Sequence, residues 1–215
     1  MAGGAKARRL PRVVRERQMV DAAVRCFARH GYQAASMDEI AELAGVSKPL
    51  VYLYLGSKEE LFTACIRREA AALLGAVAAE VGEAEVPPDE RLWAGLLAFF
   101  TYAAEHPDAW VVLSRQARTH GEPFAGEVAR MRDEIVGFVA GLIGEAAGVV
   151  IAGRDVEALA QALVGSAESL ASWANETPGV TAKEAAATLM NFAWAGLGNL
   201  LASPPEGGGF SRLAP

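Results

Sequence analysis

The stretch Ser36-Met-Asp-Glu-Ile-Ala-Glu-Leu-Ala-Gly-Val-Ser-Lys-Pro-Leu-Val-Tyr-Leu-Tyr54 contains two short helix signals separated by a turn. In Ser36-Met-Asp-Glu39 a serine is followed three residues later by a glutamate, the spacing of a capping box, whose side chains satisfy N–H groups that the first turn of a helix leaves open. That helix runs to Ala44, because Gly45 can take up the left-handed backbone that ends it. Ser47 is read as the cap of the next helix, which ends near Tyr54, and Pro49 is tolerated in its first turn because no intrahelical bond is lost there. Ile40, Ala41 and Leu43 can pack against Val46, Leu50 and Val51 in a small core, leaving Lys48, Pro49 and Tyr52 on the outer face of the second helix. Two short helices locked at a glycine turn, over about residues 37–54, read as a helix-turn-helix whose second helix suits the width of a DNA major groove.

Outward from this stretch, Val20, Ala23, Val24 and Phe27 recur at the spacing of one buried helical face, which predicts a helix from Val13 to His30 closed by Gly31. Ser57-Lys-Glu-Glu60 is a second capping box and opens a long helix to about Glu80. Pro87-Pro88 separates it from a helix over Asp89–Glu105, and His106-Pro107 ends that one. A short helix over Ala109–Gln116 is followed by a loop marked by Gly121 and Pro123. Met131, Ile135, Phe138 and Leu142 then share a face of a helix from Phe124 to Ala147. Two more helices, Asp155–Glu176 and Thr181–Ala202, are split by Pro178-Gly179. The pattern is all-α, with about nine helices, no strand signal and no internal repeat.

This gives a basic arm over residues 1–11, a DNA-binding domain over 12–56, a helical domain over 57–202 and a Pro- and Gly-rich tail over 203–215. The net charge of −6 conceals an asymmetry, since residues 1–68 carry 12 Lys+Arg against 7 Asp+Glu and the remainder is strongly acidic. The first part suits a polyanion and the second would repel one. No apolar run is long enough to span a bilayer and the arginine-rich start lacks the apolar segment of a secretion signal, so a cytoplasmic protein is expected. Cys26 and Cys65 sit apart in helical patterns and read as buried free thiols.

His30, His106 and His120 lie in unrelated segments, none in a metal-spaced cluster or beside a GxSxG nucleophile, so neither a metal nor a cofactor site is read and an enzyme is the remote alternative. From their chemistry, Lys48 at the start of the recognition helix is a donor to guanine edges or phosphate, and Tyr52 and Tyr54 are donors to phosphate. Ser36, Ser47 and Lys58 stand at helix starts, where open N–H groups favour anions. Arg8, Arg9 and Arg12 can follow the backbone or enter the minor groove.

The run Arg25-Cys-Phe-Ala-Arg-His-Gly-Tyr32, with Ser36-Met-Asp-Glu-Ile-Ala41, Ala44-Gly-Val-Ser-Lys48, Val51-Tyr-Leu-Tyr54 and Ser57-Lys-Glu-Glu-Leu-Phe62, resembles the N-terminal domain of tetracycline-repressor (TetR) family regulators over about residues 15–63. The turn at Leu55-Gly56 is a mild departure from the family pattern. The resemblance implies a homodimeric repressor that holds a palindromic operator and leaves it when a ligand enters the C-terminal domain, with helix 4 pivoting to change the spacing of the recognition helices. For that ligand, expected to be mostly apolar, the candidates are Trp93, Phe99, Phe100, Trp110, Leu113, Phe138 and Trp173, with Arg115 and Glu168 as polar partners. Phe124 and Tyr102 belong to the same aromatic group, and Ser169 and Asn175 are further candidates for the polar role.

The last two helices are rich in small residues, and the resemblance implies that they form a four-helix dimer interface through Leu159, Leu163, Leu189, Phe192, Ala193, Gly196 and Leu197. A ligand-independent or partner-controlled regulator of the same fold is the alternative, which a fully packed C-terminal domain would favour.

Overall fold

The computed structural model describes residues 11–82, 85–116, 121–147 and 153–202. The arm up to residue 10, with Arg8 and Arg9, and the tail from residue 203 lie outside them. Among the described residues the chain forms nine α-helices and no strand: α1 (Arg12–Ala34), α2 (Met37–Leu43), α3 (Lys48–Leu55), α4 (Lys58–Val81), α5 (Pro88–Glu105), α6 (Pro107–Val111), α7 (Gly121–Ala147), α8 (Gly153–Glu176) and α9 (Ala182–Ala202). The helices expected from the spacing are all present, but α7 begins at Gly121 and takes in Pro123, where a loop was expected; a proline in the first turn costs no intrahelical bond. The short sixth helix differs in kind, because after Val111 it widens into a π-helical turn over Val112–Gln116, with Ser114 Oγ donating to the carbonyl of Trp110 at 2.7 Å.

Backbone contacts divide the chain into two compact units, residues 1–69 with 108–127, and residues 70–107 with 128–215. In the first, α1 packs on α2, α3 and the π-helical turn. Its centre is made by Met19, Phe27, Ile40, Val51, Leu61, Phe62 and Ile66, each fully buried. Phe62 meets Phe27 and Phe124 edge to face at 4.8 and 4.9 Å, and Tyr32 closes the cluster at 5.0 Å from Phe62. Aromatic pairs at such distances add to the burial term, so the start of α7 belongs to this core. Gly31 breaks α1 as its position suggested, with φ 75°, and one further helical turn follows before Ala35.

In the second unit α5 packs most extensively on α9 and also on α8. Val136, Ile143, Val156, Ala160 and Val164 form an apolar cluster between α7 and α8. Asn175 ties α8 to α5 by donating Nδ2–H to the carbonyl of Ala103 at 3.0 Å.

Candidate nucleic-acid interface and effector cavity

Local chemistry sets the ends of α2, α3 and α4. Ser36 Oγ accepts from the N–H of Asp38 at 3.1 Å, so it caps α2. The reciprocal half of the expected capping box does not form with it: Glu39 instead meets His30 Nε2 at 3.0 Å and accepts from Cys26 Sγ at 3.6 Å, drawn to α1 by these partners. Ser47 occupies the cap position of α3 with extended backbone, but its side chain makes no capping bond. The carbonyl of Ser47 accepts from Leu50 and Val51. Gly45, at φ 65°, turns the chain between the two helices, a conformation costly for any residue with a Cβ. Ser57 and Glu60 form the complete box at the start of α4, Glu60 N–H to Ser57 Oγ at 3.1 Å and Ser57 N–H to Glu60 Oε2 at 2.7 Å.

Val51 is fully buried against the core, with Ile40 and Ala41, which fixes α3. Leu43 is a correction to the expected small core: it stands 42% exposed, because α2 is only two turns long and its last residue passes beyond the face that meets α3. The opposite face of α3 carries Lys48, Pro49, Tyr52 and Leu53, all exposed. Leu53, 75% exposed, was not singled out from the sequence, since a leucine in a helical pattern reads first as core.

Lys48 Nζ donates to Asp38 Oδ2 at 2.8 Å, and this hydrogen bond, with the charge of Asp38, raises the lysine's pKa above its ordinary value. Such an exposed pair is weak and easily exchanged for another anion. Arg12 pairs with Glu16 at 2.9 Å and lies 5.1 Å from the ring centre of Tyr54, joining the start of α1 to the end of α3. Lys58 donates to the carbonyl of Gln33 at 3.0 Å and sits 4.9 Å from the ring centre of Tyr32.

The second unit contains a cavity of about 130 Å³. Since about 10–15 Å³ suffices to hold a water, it has room for a string of carbon atoms. Four helices supply stripes at helical spacing, among them Leu73, Val77 and Val81 of α4, Leu92, Leu96 and Phe99 of α5, Ile135, Phe138 and Leu142 of α7, and Leu163, Val164 and Ala167 of α8. Trp194 of α9 also reaches it, and among the described residues Arg91 is the one ionisable side chain in the lining.

Of the ligand candidates from the sequence, Phe99 and Phe138 line this cavity. The others do not. Trp110 and Leu113 are buried in the first unit, where α6 and the π-helical turn belong, and Arg115 is exposed there. Phe100 is buried beside Phe99, their ring centres 5.1 Å apart, but is not part of the lining. Trp93 is half-buried outside it, and Trp173 is 53% exposed. Glu168 lies 3.6 Å from Arg132 of α7, which also donates to Gln161 at 2.5 Å. Aromatic content marks helices that bury surface without saying into which unit. Arg91 and Trp194 were missed; the available signal for Arg91 was an arginine on the apolar face shared with Leu92, Gly95, Leu96 and Phe99.

Of the dimer candidates, Phe192 is 73% exposed on α9, Ala193 and Leu159 are half-buried, and Leu163 and Leu189 are buried within the unit. Gly196 and Leu197 fall where side chains are not described. Among the described residues no group of histidine, cysteine and carboxylate side chains is arranged to hold a metal, and no helix is long and apolar enough to cross a membrane.

A helix-turn-helix with its second helix fixed on a buried core, in a chain whose other unit is an all-helical bundle, defines a class of helix-turn-helix DNA-binding regulators. Comparison with known proteins agrees with it. The family model described as bacterial regulatory proteins, tetR family, matches residues 19–65, and the one described as tetracyclin repressor-like, C-terminal domain, matches residues 88–196. The chain is 30% identical over 199 residues to the HTH-type transcriptional activator FasR of Mycolicibacterium smegmatis, covering 92% of this chain and 90% of that one. The crystal structure of a TetR-like transcriptional regulator from Rhodococcus sp. RHA1 superposes with a TM-score of 0.76 at 40% identity, over 88% of this chain and 99% of that one. FadR from Bacillus subtilis, solved in complex with stearoyl-CoA, shares the fold at 19% identity with a TM-score of 0.74, over 84% of this chain and 98% of that one. The chain belongs to the TetR family: it is a DNA-binding transcriptional regulator with an N-terminal helix-turn-helix, and not an enzyme.

Proposed function

We propose that the protein is a ligand-responsive, cytoplasmic repressor that holds a palindromic operator as a homodimer and is released by a mostly apolar small molecule. The observation that carries ligand control is the apolar cavity between α4, α5, α7, α8 and α9, which favours this reading over a ligand-independent regulator. Residues 12–56 serve DNA binding, with 1–11 as a basic arm, and residues 57–202 serve effector binding and dimerisation ahead of the tail at 203–215. Lys48, Pro49 and Tyr52 face the bases and phosphates, with Ser36, Ser47, Tyr54 and Lys58 on the flanking backbone and Arg8, Arg9 and Arg12 along the adjoining groove.

Dimerisation uses α8 and α9, supported by the exposure of the large apolar side chains Trp173 and Phe192. A twofold dimer sets the two α3 helices about one DNA turn, roughly 34–36 Å, apart. Because α4 contributes residues to both units, from Leu61 and Phe62 in one core to Leu73 and Val77 in the cavity wall, occupancy changes the pose of α4 and with it that spacing. Activation is the second reading, favoured by the naming of FasR as an activator.

The test is to select bound sequences from a random DNA pool and titrate the complex with apolar compounds. A palindromic consensus, a two-chain mass in solution and release by apolar compounds are expected. Release by highly polar metabolites alone contradicts the apolar effector.

A further inference from the structure

We propose that Arg91 is the polar anchor of the effector cavity, donating its buried Nε–H to an oxygen atom carried on an otherwise apolar ligand, while Glu145 holds the other side of the guanidinium. The proposal rests on the reading of this cavity as the effector site. Arg91 lies in the second turn of α5, with its side chain only 11% exposed. Its Nη1 donates to Glu145 Oε2 of α7 at 2.9 Å, whereas its Nε is buried and donates to no protein group. A buried donor without an acceptor costs more than an ordinary hydrogen bond returns, and a guanidinium cannot shed its proton to escape that cost. The same cavity is lined by Leu92, Phe99, Phe138, Leu142 and Trp194, none of which offers an acceptor side chain.

The acceptor therefore comes from what fills the cavity, a water or the ligand oxygen that displaces it. One directional donor in an apolar enclosure selects a molecule with an apolar body and a single oxygen near one end, which also fixes the direction in which the chain enters. The oxygen can belong to a free carboxylate or to a neutral acyl group such as an ester or thioester. Glu145, 56% exposed, bears on that choice: its charge offsets that of Arg91 and disfavours a second carboxylate beside it.

The experiment titrates the full chain with octanoate, methyl octanoate and octane, following tryptophan fluorescence, to which Trp194 in the cavity wall contributes, in the wild type and in the R91L, R91K and E145Q variants. Arg91→Leu is expected to weaken both oxygenated probes by roughly tenfold or more, the scale of a hydrogen bond from a charged donor, and to leave octane unchanged. Arg91→Lys keeps the charge without the planar fork and is expected to weaken methyl octanoate as well, which carries the test should the leucine variant fold poorly. Glu145→Gln is expected to raise the affinity for octanoate relative to its ester. Equal affinities for all three probes across the Arg91 variants overturn the anchor and leave the effector cavity standing. An unchanged octanoate-to-ester ratio in E145Q overturns the part given to Glu145, and failure of all three probes to bind the wild type overturns both the anchor and the effector-site reading.

Discussion

The unit that carries α2 and α3 pairs polar side chains over short distances, Lys48 with Asp38 at 2.8 Å and Ser57 with Glu60 at 2.7 Å, around a core closed by interlocking aromatic rings. The unit that carries α5, α8 and α9 encloses a cavity instead, and sets a single arginine in its wall. A filled core holds α3 in one pose, which reading DNA requires. An unfilled one gives up contact energy that a ligand can restore on binding. The difference separates a rigid reader from a bundle whose packing is left open to an occupant.

Several perturbations press on this contrast. The largest effect is expected from Phe62→Ala, which removes a fully buried ring touching three other aromatic rings. It should cost about 3–5 kcal/mol in denaturant unfolding, and a loss below about 1 kcal/mol would show the first core to be loosely packed. Ala167→Phe in the cavity wall goes the other way, filling space that the wild type leaves open. It should abolish release by apolar compounds while operator binding persists, with a stability change no larger than the roughly 1–3 kcal/mol of overpacking. Continued release in that variant would detach effector control from the cavity.

A smaller effect follows from capping, a device both units share. Ser57→Ala is expected to cost about 1 kcal/mol. The N–H and hydroxyl of Ser57 hold the Glu60 carboxyl below its ordinary value of 4.5, and Thr181 does the same to Glu184 in the other unit. A carboxylate with a lowered folded pKa stabilises fully above its unfolded value and loses that contribution as pH falls through the folded one. Melting curves should therefore drop as pH falls below 4.5, less steeply in the E60Q and E184Q variants. The smallest effect concerns the thiols. Burial pushes both Cys26 and Cys65 up, and both lie in the first unit. A thiol reagent should leave them unmodified until that unit unfolds, so rapid modification of the native protein would contradict its tight packing.

How much of this was legible in the sequence also divides along the two units. The ends of α2, α3 and α4 are fixed within a few residues, by Ser36, Gly45 and the Ser57–Glu60 pair, so the exposed face of α3 could be named from spacing alone. Where an interaction crossed between helices the reading failed locally: Glu39 turned to His30 and Cys26 instead of closing its box. The cavity is built from helices whose residues are separated by up to more than half the chain, and periodicity marks an apolar face without saying what it meets. Phe99 and Phe138 were found that way, while Trp110 and Leu113 proved to belong to the other unit. Arg91 stayed hidden because a charged residue in the second turn of a helix ordinarily reads as solvent-facing.

The central claim is that the outer face of α3 holds the DNA, and the most direct test is fluorescence anisotropy of the selected operator with the Lys48→Ala and Tyr52→Ala variants. Each is expected to weaken binding by roughly tenfold or more, in keeping with the loss of a base-edge or phosphate contact, while the mass in solution and the melting temperature stay as in the wild type. Wild-type affinity in both variants would contradict the account.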